Sequence, residues 1–382
     1  MRKELLFSTM LFLLALNAVA FENFDEAFNQ MRHRYALGHY KRVIAITPDA
    51  LKFSKNNTQK FKVLYFKGLA LDALLKFWQA EQIFEEASKI KGISEKQKLQ
   101  AVYNLTRSQF ANKHYVSALA NAEKYSESKA KTMTIHLNIL QVGIESAQRM
   151  NKSQKALQLA EKLCKKAVPD SSWYYRGVIL RVRALCAMKK FDEAEKIISK
   201  EKLKKVPLPM HAEFLTWSGY CYEKESKPEI AGKYYAQAYD EESNYYAGLA
   251  ALRHANLLGK DIKHTEKAEK AYERVLKIAN AHPEHKSQAI YKAAAICRKA
   301  NQPERAVWYL AQIDDIKHPA VYWQAKIYNL HGDILYTTGQ VDKARKYFKA
   351  CLNLSSPQDD SKLYAKEILA QLEEPAVLPE KE

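Results

Sequence analysis

Few residue groupings in this sequence could do chemistry. His282-Pro283-Glu284-His285 sets two imidazoles and a carboxylate within four positions, the donor types that take a divalent metal. Its proline reads as a loop, and two lone histidines are an incomplete donor set, so no metal is assigned. Three stretches fit S-x-x-K, a serine nucleophile with a lysine base: Ser88-Lys89-Ile90-Lys91, Ser126-Glu127-Ser128-Lys129 and Ser199-Lys200-Glu201-Lys202. A chain with 61 Lys and Arg residues yields that pattern by chance, and the partner motifs of serine acylases are missing. There is no H-E-x-x-H, no CxxC or CxxCH, no G-x-S-x-G elbow and no phosphate-cradling glycine loop. The expected chain is non-catalytic and needs no cofactor.

The 5 cysteines, Cys164, Cys186, Cys221, Cys297 and Cys351, are odd in number and widely spaced, unlike a disulfide framework. They read as small buried hydrophobes on helices, with a Cys186–Cys221 bridge as the alternative. The net charge of +18 is concentrated. Arg149 to Lys205 holds 16 Lys or Arg against 6 Asp or Glu, including Lys162, Lys165, Lys166, Lys189, Lys190, Lys202, Lys204 and Lys205. From Asp359 the sign reverses, with seven acids against three bases. The basic stretch reads either as solvated helix faces or as a patch for something anionic. Nucleic acid is not expected, because no base-reading motif is present.

Whatever these residues do, they are positioned by a repeat. Nine small apolar residues, Val43, Ala80, Ala118, Ala156, Ala194, Ala231, Ala268, Ala306 and Ala344, are spaced by 37 or 38 residues throughout. Gly68, Gly219 and Gly332 each precede their alanine by twelve. Four residues after the marker comes a large ring (Phe84, Tyr235, Phe348), and seven after it a small residue (Ala87, Ala238, Cys351). Offsets of four and seven hold one helix face, and small residues allow two helices to approach closely. Turn residues lie before most markers: Gly38-His39, Asn112-Lys113, Asn151-Lys152, Asn301-Gln302 and Gly339-Gln340. Pro228 and Pro303 fit the first turn of a second helix. The repeating element is a helical hairpin.

These residues resemble the tetratricopeptide (TPR) family over about residues 22–373. The match is best at Tyr328-Asn329-Leu330-His331-Gly332, Gly339-Gln340-Val341-Asp342-Lys343-Ala344 and Tyr347-Phe348-Lys349-Ala350-Cys351-Leu352. It is weakest at Val43 and at Ala268, whose first helix is expected to carry an insertion. The family period is about 34 residues, so longer connections between repeats are expected. The resemblance implies an all-α, right-handed solenoid of about nine hairpins over 21–374. Asp360 to Glu374 would form a capping helix, 375–382 a frayed tail, and Lys202 to Met210 either an inter-repeat loop or a hinge.

In the family, the first helices line a concave surface. Transferred to this register, that surface would carry Tyr103, Arg107 and Phe110, then Gln141 and Gln148, then Arg176 and Arg183. It continues through Tyr220, Tyr291 with Arg298, and Asn329, Asp333 and Tyr336. Aromatics and arginines are common interface anchors. The family's Lys/Asn clamp for a C-terminal carboxylate is not recognisable.

The N-terminus reads as an export signal. Arg2 and Lys3 precede the apolar run Leu5 to Leu16, and Ala18-Val19-Ala20 is a small-x-small cleavage site. No cysteine follows the run, so a lipid anchor is not expected, and no later stretch is apolar enough to span a bilayer. The expected protein is a periplasmic or secreted scaffold of the cell envelope that holds a protein or peptide partner. The alternative is a basic module docking on an anionic lipid or cell-wall polymer. A helical platform attached to an enzyme is a third reading, but no enzymatic segment is left over. Cleavage after Ala20 is expected, leaving Phe21 first; an intact Met1 start in the mass of soluble exported protein would overturn it.

Overall fold

A computed structural model describes residues 21–125, 133–241, 244–260, 265–354 and 359–373. The export signal 1–20, the tail 375–382, Glu374 and the Ser126 to Lys129 motif lie outside the described residues. Among the described residues there are nineteen α-helices and no strand. The fold is an all-α solenoid of stacked helical hairpins, divided into two compact units at Met188/Lys189.

The first unit holds four hairpins and one further helix. They are α1 (Phe24–Ala36) with α2 (Tyr40–Lys52), α3 (Asn57–Ala73) with α4 (Phe77–Ser88), α5 (Glu95–Ala111) with α6 (Tyr115–Tyr125), and α7 (Met133–Arg149) with α8 (Ser153–Lys166). Helix α9 (Ser172–Ala187) closes it. The second unit opens on α10 (Phe191–Ile198). Then come α11 (His211–Lys224) with α12 (Pro228–Glu241), α13 (Tyr245–Leu258) with α14 (Thr265–Lys277), α15 (Pro283–Lys299) with α16 (Pro303–Ala311), and α17 (Val321–Thr337) with α18 (Val341–Leu352). Helix α19 (Asp360–Glu373) packs on α17 and α18 through Ala365 and Leu369.

All nine marker residues lie on second helices and are fully buried. The glycine–aromatic contact explains the close approach of the two arms. A Cβ on Gly68 would stand 2.6 Å from the Phe84 ring, one on Gly219 2.6 Å from Tyr235, and one on Gly332 2.7 Å from Phe348. The ring occupies the space that a side chain would need. Cys221, Cys297 and Cys351 are fully buried, and all five cysteines are free thiols.

The two arms begin differently, and the sequence dictates how. Six first helices start at a side-chain cap: Asn23, Asn56, Ser94, Ser171, Asn244 and His282 each accept from a backbone N–H two or three residues on. Second helices follow a left-handed residue five before the marker. Gly38, Leu75, Lys113, Asn151, Lys189, Ser226, Asn301 and Gly339 all have φ between 54° and 81°. The next N–H reaches back five residues, as in His39 N to Arg34 O (2.9 Å), Lys76 N to Leu71 O (2.9 Å) and Gln340 N to Leu335 O (2.8 Å). That is the Schellman closure, and it satisfies carbonyls the first helix leaves open.

Two expectations are revised in detail. The irregularity at Ala268 is not in a first helix: α13 is an unbroken 14 residues, but it ends ten residues before its marker rather than seven. The long period is also not confined to the connections: 53–56 is a four-residue link, whereas α3, α5, α7, α15 and α17 reach 17 residues. Lys202 to Met210 lies within the second unit and contains the 3₁₀ turns Leu203–Lys205 and Leu208–Met210.

Two buried histidines tie the core to pH. His285 on α15 stands against Tyr245 and His282; burial, helped by the charges of His282 and Arg253, holds it down to about 4. His331 on α17 stacks on Tyr347 at 3.8 Å, and burial alone holds it down to about 4. Both are neutral in the fold, whereas in the unfolded chain they protonate near about 6.5. Their contribution to stability is therefore complete above about pH 6.5 and falls as pH drops towards about 4, by up to ~3 kcal/mol each. Denaturant midpoints measured from pH 7 to 4 should show this slope, and His285→Gln with His331→Gln should flatten it. Ala231→Leu should lower stability by about 1–3 kcal/mol through overpacking; an unchanged melting temperature would mean that the marker does not sit at the helix contact.

Candidate functional site: the first-helix face

The candidate residues fall on first helices as expected, but neighbouring hairpins already use many of them. In the first unit, Arg107 on α5 forms an ion pair with Asp72 on α3. Beside it, Asn104 Nδ2 donates to the Tyr65 hydroxyl at 3.0 Å across the same two helices. Burial pushes the Asp72 carboxyl up, against the pull of Arg107. Tyr103 packs against Leu99, Val102 and Ile139, and the Phe110 ring lies 5.4 Å from Tyr115. Gln141 donates to Glu145 within α7 at 2.9 Å, and Gln148 is half-buried two turns on. Arg176 and Arg183 are half-buried and partnered on α9.

The second unit repeats the device with the charges reversed. Arg298 on α15 lies 3.4 Å from Asp333 on α17, and the Tyr364 hydroxyl of α19 donates to the other Asp333 oxygen at 2.7 Å. Asn329 Nδ2 donates to the Ser361 carbonyl at 2.8 Å, which ties α17 to the capping helix. The Tyr220 ring lies beneath the Arg253 guanidinium at 4.5 Å, and Arg253 reaches Glu223 at 3.4 Å. Tyr291 is 5.6 Å from Trp323, and Trp323 is 5.2 Å from Tyr322. The Lys326 ammonium sits over Tyr322 at 4.5 Å and over Trp323 at 5.4 Å. Tyr322 and Tyr336 are about half exposed.

Sequence reasoning missed Tyr322, Trp323, Lys326 and Arg253. Arg253 escaped because α13 ends further from its marker than the other first helices, which shifts its register; its pair with Glu223 parallels Arg107 with Asp72. The aromatic cluster carries no register signal, because it depends on which rings neighbouring helices bring together.

The basic residues do not form one surface within a unit. Lys162, Lys165 and Lys166 lie on α8 of the first unit, and Lys165 and Lys166 stand in its last turn, where cations suit the helix dipole. Lys189, Lys190, Lys202, Lys204 and Lys205 belong to the second unit, and Lys190 pairs with Glu193 at 2.9 Å. Among the described residues, no group of three or more His, Cys, Asp or Glu could hold a metal ion.

Residues 224–371 match the family model of the tetratricopeptide repeat-like domain. A solved tetratricopeptide repeat protein from Parabacteroides merdae is similar at 17% identity with a TM-score of 0.43, over 82% of this chain and 99% of that one. Comparison with curated proteins gives no match. The matched segment runs from the end of α11 through α19, and the same buried marker, left-handed turn and glycine–aromatic contact extend back to the earlier hairpins. Over residues 224–371 the chain is similar to the tetratricopeptide-repeat family.

Proposed function

We propose that this protein is a non-catalytic scaffold of the cell envelope, exported by its leader, that holds a protein segment along its first-helix face. The observation that carries this reading is the character of that face. Charges on it pair between neighbouring helices at Asp72–Arg107, Glu223–Arg253 and Arg298–Asp333. What is left open to a partner is aromatic: Tyr322 and Tyr336 are exposed, and Trp323 and Tyr291 lie beside Tyr322. Rigid aromatic surface offers large contact area at low entropic cost. A face of this kind suits an extended or helical peptide with apolar anchors better than a polyanion. TPR folds serve as protein-interaction scaffolds, which supports the coarse reading.

The test is capture from an envelope extract, with partners identified by mass spectrometry and then measured by calorimetry. Tyr322→Ala with Tyr336→Ala should leave the melting temperature unchanged, because both rings are exposed. Partner affinity should fall by about tenfold or more, since each such truncation commonly costs more than about 1 kcal/mol. If this variant binds as the parent does, while Lys162→Glu, Lys165→Glu and Lys166→Glu together abolish capture, the aromatic face is not the working surface.

A further inference from the structure

We propose that the hairpin-turn edge of the first unit is a second working surface, which docks on an anionic phospholipid bilayer. Leu37, Leu75, Trp78 and Val116 are 52, 74, 60 and 67% exposed. Single exposed apolar residues are ordinary, but these four belong to three consecutive turns. A cavity of about 400 Å³ lined by Gly38, His39, Tyr40, Lys41, Arg42 and Leu74 joins the first turn to the second. Glu81 joins the second to the third, accepting from Asn112 Nδ2 at 2.8 Å and meeting His114 Nδ1 at 2.9 Å. The four side chains therefore line one edge.

Leu75 is the most telling of them. It holds φ at 59°, a conformation that costs a residue with a Cβ about 1–2 kcal/mol. Glycine occupies the same position in the first and last hairpins, at Gly38 and Gly339. A leucine kept there while 74% exposed adds nothing to the core.

The unpaired charges of these turns are basic: Lys41, Arg42, Lys76 and Lys113 lie within a few residues of the apolar side chains. Helices α2, α4 and α6 carry no acid in their first turn. In the second unit every second helix opens on one: Asp192 and Glu193, Glu229, Glu266, Glu304 and Asp342. An acid there is worth about 0.3–1 kcal/mol, so the first unit forgoes a cheap stabilisation at all four of its second helices, α8 included. Glu81, the carboxylate nearest the edge, is occupied by the third turn. Large apolar side chains led by a tryptophan and ringed by cations match the bilayer interface, where rings insert at headgroup level and bases meet anionic lipid. Among the described residues no helix is long and apolar enough to cross a membrane, so the contact would be peripheral.

The test is co-sedimentation of the full chain with vesicles of phosphatidylcholine alone or with one part in four of phosphatidylglycerol. The N-terminal segment is common to all variants, so differences between them report the edge. The parent should bind the anionic vesicles and be released by salt. Leu75→Ser with Trp78→Ser, and separately Lys41→Glu with Lys76→Glu and Lys113→Glu, should each weaken binding by about tenfold or more. Trp308→Ser, at an equally exposed tryptophan of the second unit, should not. Brominated phosphatidylglycerol should quench tryptophan fluorescence in the parent and much less in Trp78→Phe, which keeps the fold. Binding that is equal on neutral and anionic vesicles, or unchanged in the edge variants, overturns the proposal. So does self-association removed by Leu75→Ser with Trp78→Ser in a protein that ignores vesicles, which would make the edge a contact between copies.

Discussion

The structure depends on one close contact, made where the second helix of each hairpin crosses its first. A small residue at the marker position is fully buried in all nine hairpins, from Val43 to Ala344. In three of them a glycine on the facing helix gives its missing Cβ volume to an aromatic ring four residues past the marker. Helix pairs held at that distance leave no room for a larger side chain, so the period of 37 or 38 residues is a packing constraint written into the sequence.

The contact constrains how each hairpin closes. Two helices so near each other need an abrupt reversal, and a left-handed residue five before the marker supplies it in eight hairpins. Only Gly38 and Gly339 adopt that conformation without a Cβ penalty. At Leu75, Lys113 and Ser226 the Schellman bonds and the buried marker hold the backbone against local preference.

The same stacking decides what the first helices can offer. Side chains one repeat apart on adjacent first helices are neighbours, so their charges find each other before any ligand does. Asp72 with Arg107, and Arg298 with Asp333, occupy corresponding positions with opposite polarity. Such partly exposed pairs contribute little to stability, about 0–1 kcal/mol. Their consequence is chemical: they tie up charges on the face and leave its rings as the available surface. The turn edge of the first unit has the contrary character, with lysines and an arginine in the same turns as exposed apolar side chains.

Much of this was legible in the sequence because it is periodic. The marker residues, Gly68 with Phe84, Gly219 with Tyr235, Gly332 with Phe348, and the prolines opening α12 and α16 are local signals repeated until chance fails as an explanation. The hairpin, its register and the face carrying the candidate residues follow from them. Three things did not follow. The partners of Arg107 and Arg298 lie 35 residues away, and a sequence offset does not say whether a side chain faces open solvent or its neighbour. The Tyr291–Trp323–Tyr322 cluster exists because two hairpins bring their rings within about 5–6 Å, close enough to interact. The exposure of Leu75 and Trp78 was hidden because apolar residues in a helical repeat read as core; only the tertiary structure shows that the turn carries them outward. Sequence fixes which face of a helix is apolar, while the packing of one hairpin on the next fixes which of those residues are covered.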